Sequence, residues 1–156
     1  MVIEIRYLEV SAAGLTAADA LLREAALQAA ERAYAPYSGF QVGAAALLEN
    51  GEVVTGCNQE NAASPSGLCA ERVALSYAGA RYPGVPVSAL AIIAVSGGEI
   101  RPRIAPCGAC CQVMQEMEKR GGRPMRILLC GKETVRILSS VSSLLPFSFT
   151  EEDLEI

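Results

Sequence analysis

The chain contains six cysteines, Cys57, Cys69, Cys107, Cys110, Cys111 and Cys130, and no histidine. Without histidine there can be no imidazole-ligated zinc, no Ser–His or Cys–His nucleophile pair and no histidine general base. Chemistry must come from thiols, carboxylates, Lys, Tyr or the backbone. Cys107 and Cys110 are spaced C-x-x-C, so in the first turn of a helix they share one face. Cys69 stands where another helix should begin. Helix N-termini carry partial positive charge and unpaired N–H groups, which favour thiolates over thiols. Two such ends converging would offer three sulfurs to a dication. Zinc with three protein ligands and one open position is the catalytic arrangement, whereas structural sites take four. Glu71 follows Cys69 by two, and residues two apart in a regular helix point to nearly opposite sides. The pair can share a site only if Cys69 is a cap residue with non-helical geometry. Glu71 could then lean over the open position and move the proton of a water made acidic by the metal. Cys111 competes with Cys110 through a C-x-x-x-C pair. Spacing favours Cys110, which leaves Cys111 a free thiol at the helix surface or behind the ligands, turned about 100° away.

These residues need elements to carry them. Thr16-Ala-Ala-Asp19 has the form of a capping box, and Leu22, Ala26, Ala29 and Ala33 follow at helical spacing. A first helix over about 16–33 is expected, its small alanines suited to close packing on a sheet. Residues 41–49 and 52–58 read as a hairpin around a tight Asn50-Gly51 turn. Residues 68–80 have helical composition. The nearly all-apolar run 87–96 reads as a central strand buried on both faces. A helix over about 107–120 follows Pro106 and stops at Gly121-Gly122. Residues 125–130 and 134–138 complete the pattern as short strands. The expected fold is α/β: a three-layer α/β/α domain on a mixed five-stranded sheet. One domain over 1–156 is expected, with a core at about 34–139 and a tail at 140–156.

Composition narrows the function. Apolar residues at 51% supply a core, which excludes a largely disordered chain. Net charge of -4 argues against a duplex-DNA binder. The opening residues, MVIEIRYLEV, do not read as a signal peptide, and the longest apolar run, Ala89–Val95, is far below the roughly 20 residues that span a bilayer. A soluble, cytoplasmic protein is expected, in which clustered cysteines mean metal or catalysis rather than disulfides.

Six segments occur in order: Tyr34–Phe40, Val42–Ala45, Thr55–Asn61, Cys69–Arg72, Pro106–Cys110 and Leu144–Phe149. On them, from about Ala33 to Leu154, the chain resembles the cytidine deaminase family in its small, homotetrameric, three-cysteine form. The resemblance implies one zinc per subunit on Cys69, Cys107 and Cys110, with Glu71 as proton shuttle. It places Phe40 against the pyrimidine ring, Asn58 and Glu60 on the ribose hydroxyls, and the Ala70 backbone on the base. Phe149 would stack on a base bound largely by a neighbouring subunit. Arg72 would hydrogen-bond the ligand thiolates, and Pro106 would lie behind them. The implied activity is hydrolytic deamination of cytidine and deoxycytidine in pyrimidine salvage, with a nucleoside as small-molecule partner and no nucleic acid or membrane. Two positions depart from the family: Cys111 where Arg is usual, and Ser64 where an aromatic residue is common.

Other readings use the same residues. Ser64 points to a deaminase of a different aminated ring, such as blasticidin S. A polynucleotide-editing relative would need a basic, aromatic-lined groove, which the acidic balance disfavours. A non-catalytic zinc-binding structural protein would have no use for Glu71. Cys57 and Cys130 read as small core residues. Lys119, Arg120, Arg123 and Arg126 read as complements to a helix C-terminus, and residues 151–155 as a solvated tail.

Overall fold

The computed structural model describes residues 1–154. The elements are β1 (Leu8–Ser11), α1 (Ala17–Ala30), β2 (Phe40–Leu48), β3 (Val53–Cys57), α2 (Ala70–Arg81), β4 (Val87–Ser96), β5 (Glu99–Ile100), α3 (Gly108–Gly121), β6 (Arg126–Cys130) and β7 (Thr134–Leu138). Thr16 caps α1 as expected, its hydroxyl accepting from the Asp19 N–H at 3.2 Å. Asp19 does not complete the capping box. Its buried carboxylate instead takes both guanidinium nitrogens of Arg126 at 3.1 and 2.9 Å, tying α1 to β6. The helix ends at Ala30, before the expected residue 33, where the chain turns.

The sheet is mixed, as expected, but has seven strands rather than five, in the order β1-β7-β6-β4-β2-β3 with β5 on β4. β4 runs antiparallel to β2 and parallel to β6, the crossover being made through α3. The two additional strands are β1, an exposed edge strand on β7, and the two-residue β5. The hairpin between β2 and β3 also differs. Its loop is residues 49–51, closed by the Leu48 N–H on the Glu52 carbonyl at 2.9 Å, with Gly51 at φ 86°. This is a three-residue loop with glycine in the left-handed position, rather than a two-residue Asn-Gly turn.

Alternation along the strands sorts the core into two layers. Ala44, Ala46, Leu48, Leu90 and Ile92 face α2 and α3, joined by Ala74, Leu75 and Met114. Ala45, Ala89, Ala91 and Ile93 face α1, against Leu22, Ala26 and Ala30. The three-layer arrangement therefore stands. Small residues dominate the α1 side, and the helix backbone comes close to the strand. A Cβ at Gly43 would lie 1.9 Å from the Ala26 carbonyl oxygen. On the opposite face a Cβ at Gly56 would lie 2.5 Å from the Ala74 nitrogen of α2.

The tail is more anchored than its composition suggests. Val141 is fully buried, and the Glu118 carboxylate accepts from Val141 N–H at 3.0 Å, Met125 N–H at 2.8 Å and the Ser140 hydroxyl at 2.8 Å. Glu151 pairs with Lys119, so the first residue of the acidic run is not simply solvated; Glu155 lies outside the described residues. Arg123 pairs with Glu49 at 2.6 Å. Lys119 and Arg120 do occupy the last turn of α3, where cations complement the dipole. Gly122 ends the helix in the left-handed conformation at φ 66°. Among the described residues, no helix is long and apolar enough to cross a membrane.

Candidate active site

Cys69 is the N-cap of α2 and Cys107 the N-cap of α3, both with extended backbone (φ −74°, ψ 153° and φ −71°, ψ 165°). The condition for Cys69 and Glu71 to share a site is therefore met. Cys110 follows in the first turn of α3. The two helices approach with these ends together, and the sulfurs converge: Cys69 to Cys107 is 3.9 Å and Cys107 to Cys110 is 3.4 Å, all three lying within 4.8 Å of one another. Thiolates at about 2.3 Å from a tetrahedral zinc stand about 3.8 Å apart, so the donor set and its spacing fit that metal. Among the described residues this is the one group of three or more metal-ligating side chains.

Burial is graded across the cluster: Cys107 exposed, Cys69 half-buried, Cys110 buried. Burial holds the Cys69 and Cys110 thiols above their ordinary value. For Cys107, burial acts in the same direction but is outweighed by hydrogen bonds from the start of α3, and its thiol sits below the ordinary value. The Arg72 guanidinium lies 4.0 Å from the Cys69 sulfur and donates to the Gly67 carbonyl at 3.1 Å. Glu71 is buried, 4% exposed, which pushes its carboxyl upward against the opposing hydrogen bonds and the Arg72 charge.

Cys69, Glu71, Arg72 and Cys107 open on a cavity of about 740 Å³. Phe40, Asn58, Glu60, Ser64 and Ala70 line the same cavity. The Asn58 amide is built into the wall: its oxygen accepts from Val42 N–H at 2.8 Å and its nitrogen donates to the Phe40 carbonyl at 2.9 Å. Glu60 accepts from the N–H groups of Tyr37 and Ser38 and from the Ser38 hydroxyl. The Ser38 hydrogen bond, followed by that of Tyr37, holds its carboxyl below the ordinary value.

Phe149 is not brought to this wall. Its side chain is 57% exposed and its carbonyl accepts from Gln112 on α3 at 2.8 Å. Pro106 also stays behind the site, its carbonyl 3.9 Å from the Cys111 sulfur. Cys111 lies outside the three-sulfur group, as its angular position predicts, and of the two positions expected for it the surface one is excluded: it is only 5% exposed. The first turn of α3 is covered on that side, so the thiol is buried although it is not one of the three converging sulfurs. Cys130 is buried and its thiol is pushed up to about 12, mainly by burial; Cys57 is half-buried at the end of β3. The cavity also recruits Tyr37, Ser38, Ile104 and Ala105, to which sequence reasoning assigned no individual role. For Ser38 the signal was its place inside the Tyr34–Phe40 segment.

Residues 16–121 match the family model for the cytidine and deoxycytidylate deaminase zinc-binding region. The chain belongs to that deaminase family. A cytidine deaminase of Halalkalibacterium halodurans is 40% identical over 145 residues, covering 86% of this chain and 96% of the relative. A cytidine deaminase of Mycobacterium tuberculosis is 41% identical over 139 residues, covering 86% and 91%. The crystal structure of a cytidine deaminase from Burkholderia pseudomallei superposes with a TM-score of 0.73 at 41% identity, covering 86% of this chain and all of that one. The matched region contains the three sulfurs and Glu71, so the cluster that fits zinc on geometry falls within the family's zinc-binding region.

Proposed function

We propose that the chain hydrolyses cytidine and deoxycytidine to uridine and deoxyuridine, releasing ammonia. The observation that carries this is a buried carboxylate, Glu71, opening on the same cavity as a three-thiol cluster with zinc spacing. Cys69, Cys107 and Cys110 hold the metal, whose Lewis acidity makes a water easier to deprotonate at neutral pH. Glu71 accepts the water's proton, the water oxygen adds to C4 of the base, and Glu71 delivers a proton to N3. It then takes the proton left on that oxygen and passes it to the amine, so that the C4 carbonyl forms as the C–N bond breaks and ammonia leaves. Burial suits this shuttle, because a carboxyl with a raised proton affinity can return what it takes. Arg72 offsets the negative charge of the thiolates. Phe40 supports the ring, the Ala70 backbone reads the base, and Asn58 and Glu60 meet the sugar hydroxyls. The chain acts as a single domain.

Phe149, exposed and away from its own cavity, reaches the base held by a neighbouring subunit in a homotetramer. Six free cysteines suit a reducing cytoplasm, where the reaction serves pyrimidine salvage. The test is ultraviolet absorbance loss over a panel of free cytidine, deoxycytidine, blasticidin S and single-stranded oligonucleotide, with zinc measured on the same sample. Turnover of the two nucleosides alone is expected. In parallel, Glu71→Gln is expected to keep the fold and zinc while turnover falls about 10²–10⁴-fold, because an amide cannot shuttle a proton. Retention of most of the rate would remove Glu71 from the mechanism.

A further inference from the structure

Glu60 is held by three hydrogen bonds from one short segment. Its Oε2 accepts from Tyr37 N–H at 2.9 Å and Ser38 N–H at 3.3 Å, and its Oε1 accepts from the Ser38 hydroxyl. Gly39, at φ 63°, turns the chain so that these donors face one carboxylate, and its own N–H returns to the Ala35 carbonyl at 3.0 Å. The Ser38 oxygen also accepts from Phe40 N–H at 3.0 Å. One hydroxyl therefore links the carboxylate to the residue whose ring lines the cavity.

A carboxylate has about four acceptor sites. Two on Oε2 and one on Oε1 are taken, which leaves one on Oε1. The terminal torsion of a glutamate is broad and turns both oxygens together, so the carboxylate is oriented by its bonds on both: the two backbone donors on Oε2 and the Ser38 hydroxyl on Oε1. The Ser38 hydroxyl is the group that holds Oε1.

We infer that Ser38 is a positioning residue for sugar recognition: its hydroxyl fixes the Glu60 carboxylate so that the remaining acceptor site on Oε1 meets a sugar hydroxyl. This rests on the proposed contact between Glu60 and the sugar. Ser38 is exposed, so its replacement leaves the core intact. A contact made equally in ground and transition states appears in KM rather than kcat.

The test uses the zinc-loaded enzyme and its Ser38→Ala, Ser38→Thr and Glu60→Gln variants. KM and kcat are measured for cytidine, and the inhibition constant for 2′,3′-dideoxycytidine, which lacks the sugar hydroxyls. Ser38→Ala is expected to raise KM for cytidine about tenfold with kcat and the dideoxy inhibition constant changed less than about twofold, and Ser38→Thr to restore KM. An equal rise for both compounds, a fall confined to kcat, failure of Thr to restore KM, or no change would overturn the assignment. If Glu60→Gln weakens cytidine selectively while Ser38→Ala does not, the Ser38 inference alone fails. If Glu60→Gln weakens both compounds equally, the sugar contact of Glu60 falls and the inference falls with it.

Discussion

Replacing Gly56 with alanine should disable the metal site without touching a ligand. Gly56 lies on β3 beneath the first turns of α2. An added Cβ would sit 2.5 Å from the Ala74 nitrogen and 2.7 Å from the Ala70 oxygen, against 3.4 Å for the onset of ordinary contact, a shortfall of about 0.9 Å. Both atoms belong to helix backbone, so no side chain can rotate away and the helix itself must retreat. α2 carries Cys69 and Glu71, while Cys107 and Cys110 remain with α3. The 3.9 Å separation between Cys69 and Cys107 would open by a comparable distance. Overpacking of this kind costs about 1–3 kcal/mol of stability, and misplacing reacting groups by about 1 Å costs on the order of 10²-fold in rate. The urea midpoint, zinc content per chain and turnover of cytidine should all fall together. Gly79→Ala is the control on the same helix. Its Cβ would meet nothing closer than Arg120 at 3.8 Å, and a helix-interior glycine replaced by alanine should gain up to about 1 kcal/mol. A Gly56→Ala protein with wild-type zinc content, midpoint and turnover would refute the view that the helix is seated on this glycine.

Cys110→Ser should lose zinc and lower the melting temperature, since metal binding is coupled to folding, whereas Cys111→Ser should keep one zinc per chain; the reverse pattern, read by metal analysis, would mean the wrong neighbour was chosen. Phe149→Ala should raise KM for cytidine and weaken subunit association in analytical ultracentrifugation, and no change in either would remove the intersubunit role. Burial keeps Cys69 and Cys110 above the ordinary thiol value of 9.0, so both are protonated near pH 7 in the metal-free chain. Ligation needs thiolates, so zinc binding should release protons and tighten as pH rises through neutrality. Calorimetry in buffers of different ionisation enthalpy would show this, and heats independent of buffer would contradict it.

The parts of the molecule most legible in the sequence are those with dense local signals. The nearly all-apolar run from Val87 gave β4 to the residue, and C-x-x-C behind a proline gave the start of α3. The edge strand β1 was not legible, because Leu8, Glu9 and Ser11 are exposed and show no burial alternation. β5 has only two residues and no periodicity to detect. Asp19 looked like half of a capping box because spacing reports only local partners, while its true partner, Arg126, is 107 residues away. Cys111 was placed by angle, while its depth stayed open between the helix surface and a position behind the ligands: helical geometry gives direction, but what covers that direction comes from other elements. The same limit hid the Ser38–Glu60 contact: both segments, Tyr34–Phe40 and Thr55–Asn61, stood out in the sequence, but nothing in it said that they touch.

The meeting of the α2 and α3 ends has a consequence for the whole chain. Cys69 and Cys107 are 38 residues apart, and a metal joining them acts as a cross-link. By the chain-entropy relation for such a loop, it removes about 4 kcal/mol of disorder from the unfolded ensemble. The enclosed segment contains β4, the strand seated between β2 and β6. The loop that the metal would close is therefore the one that carries the central strand, and a single ion at the cavity would restrain the middle of the sheet.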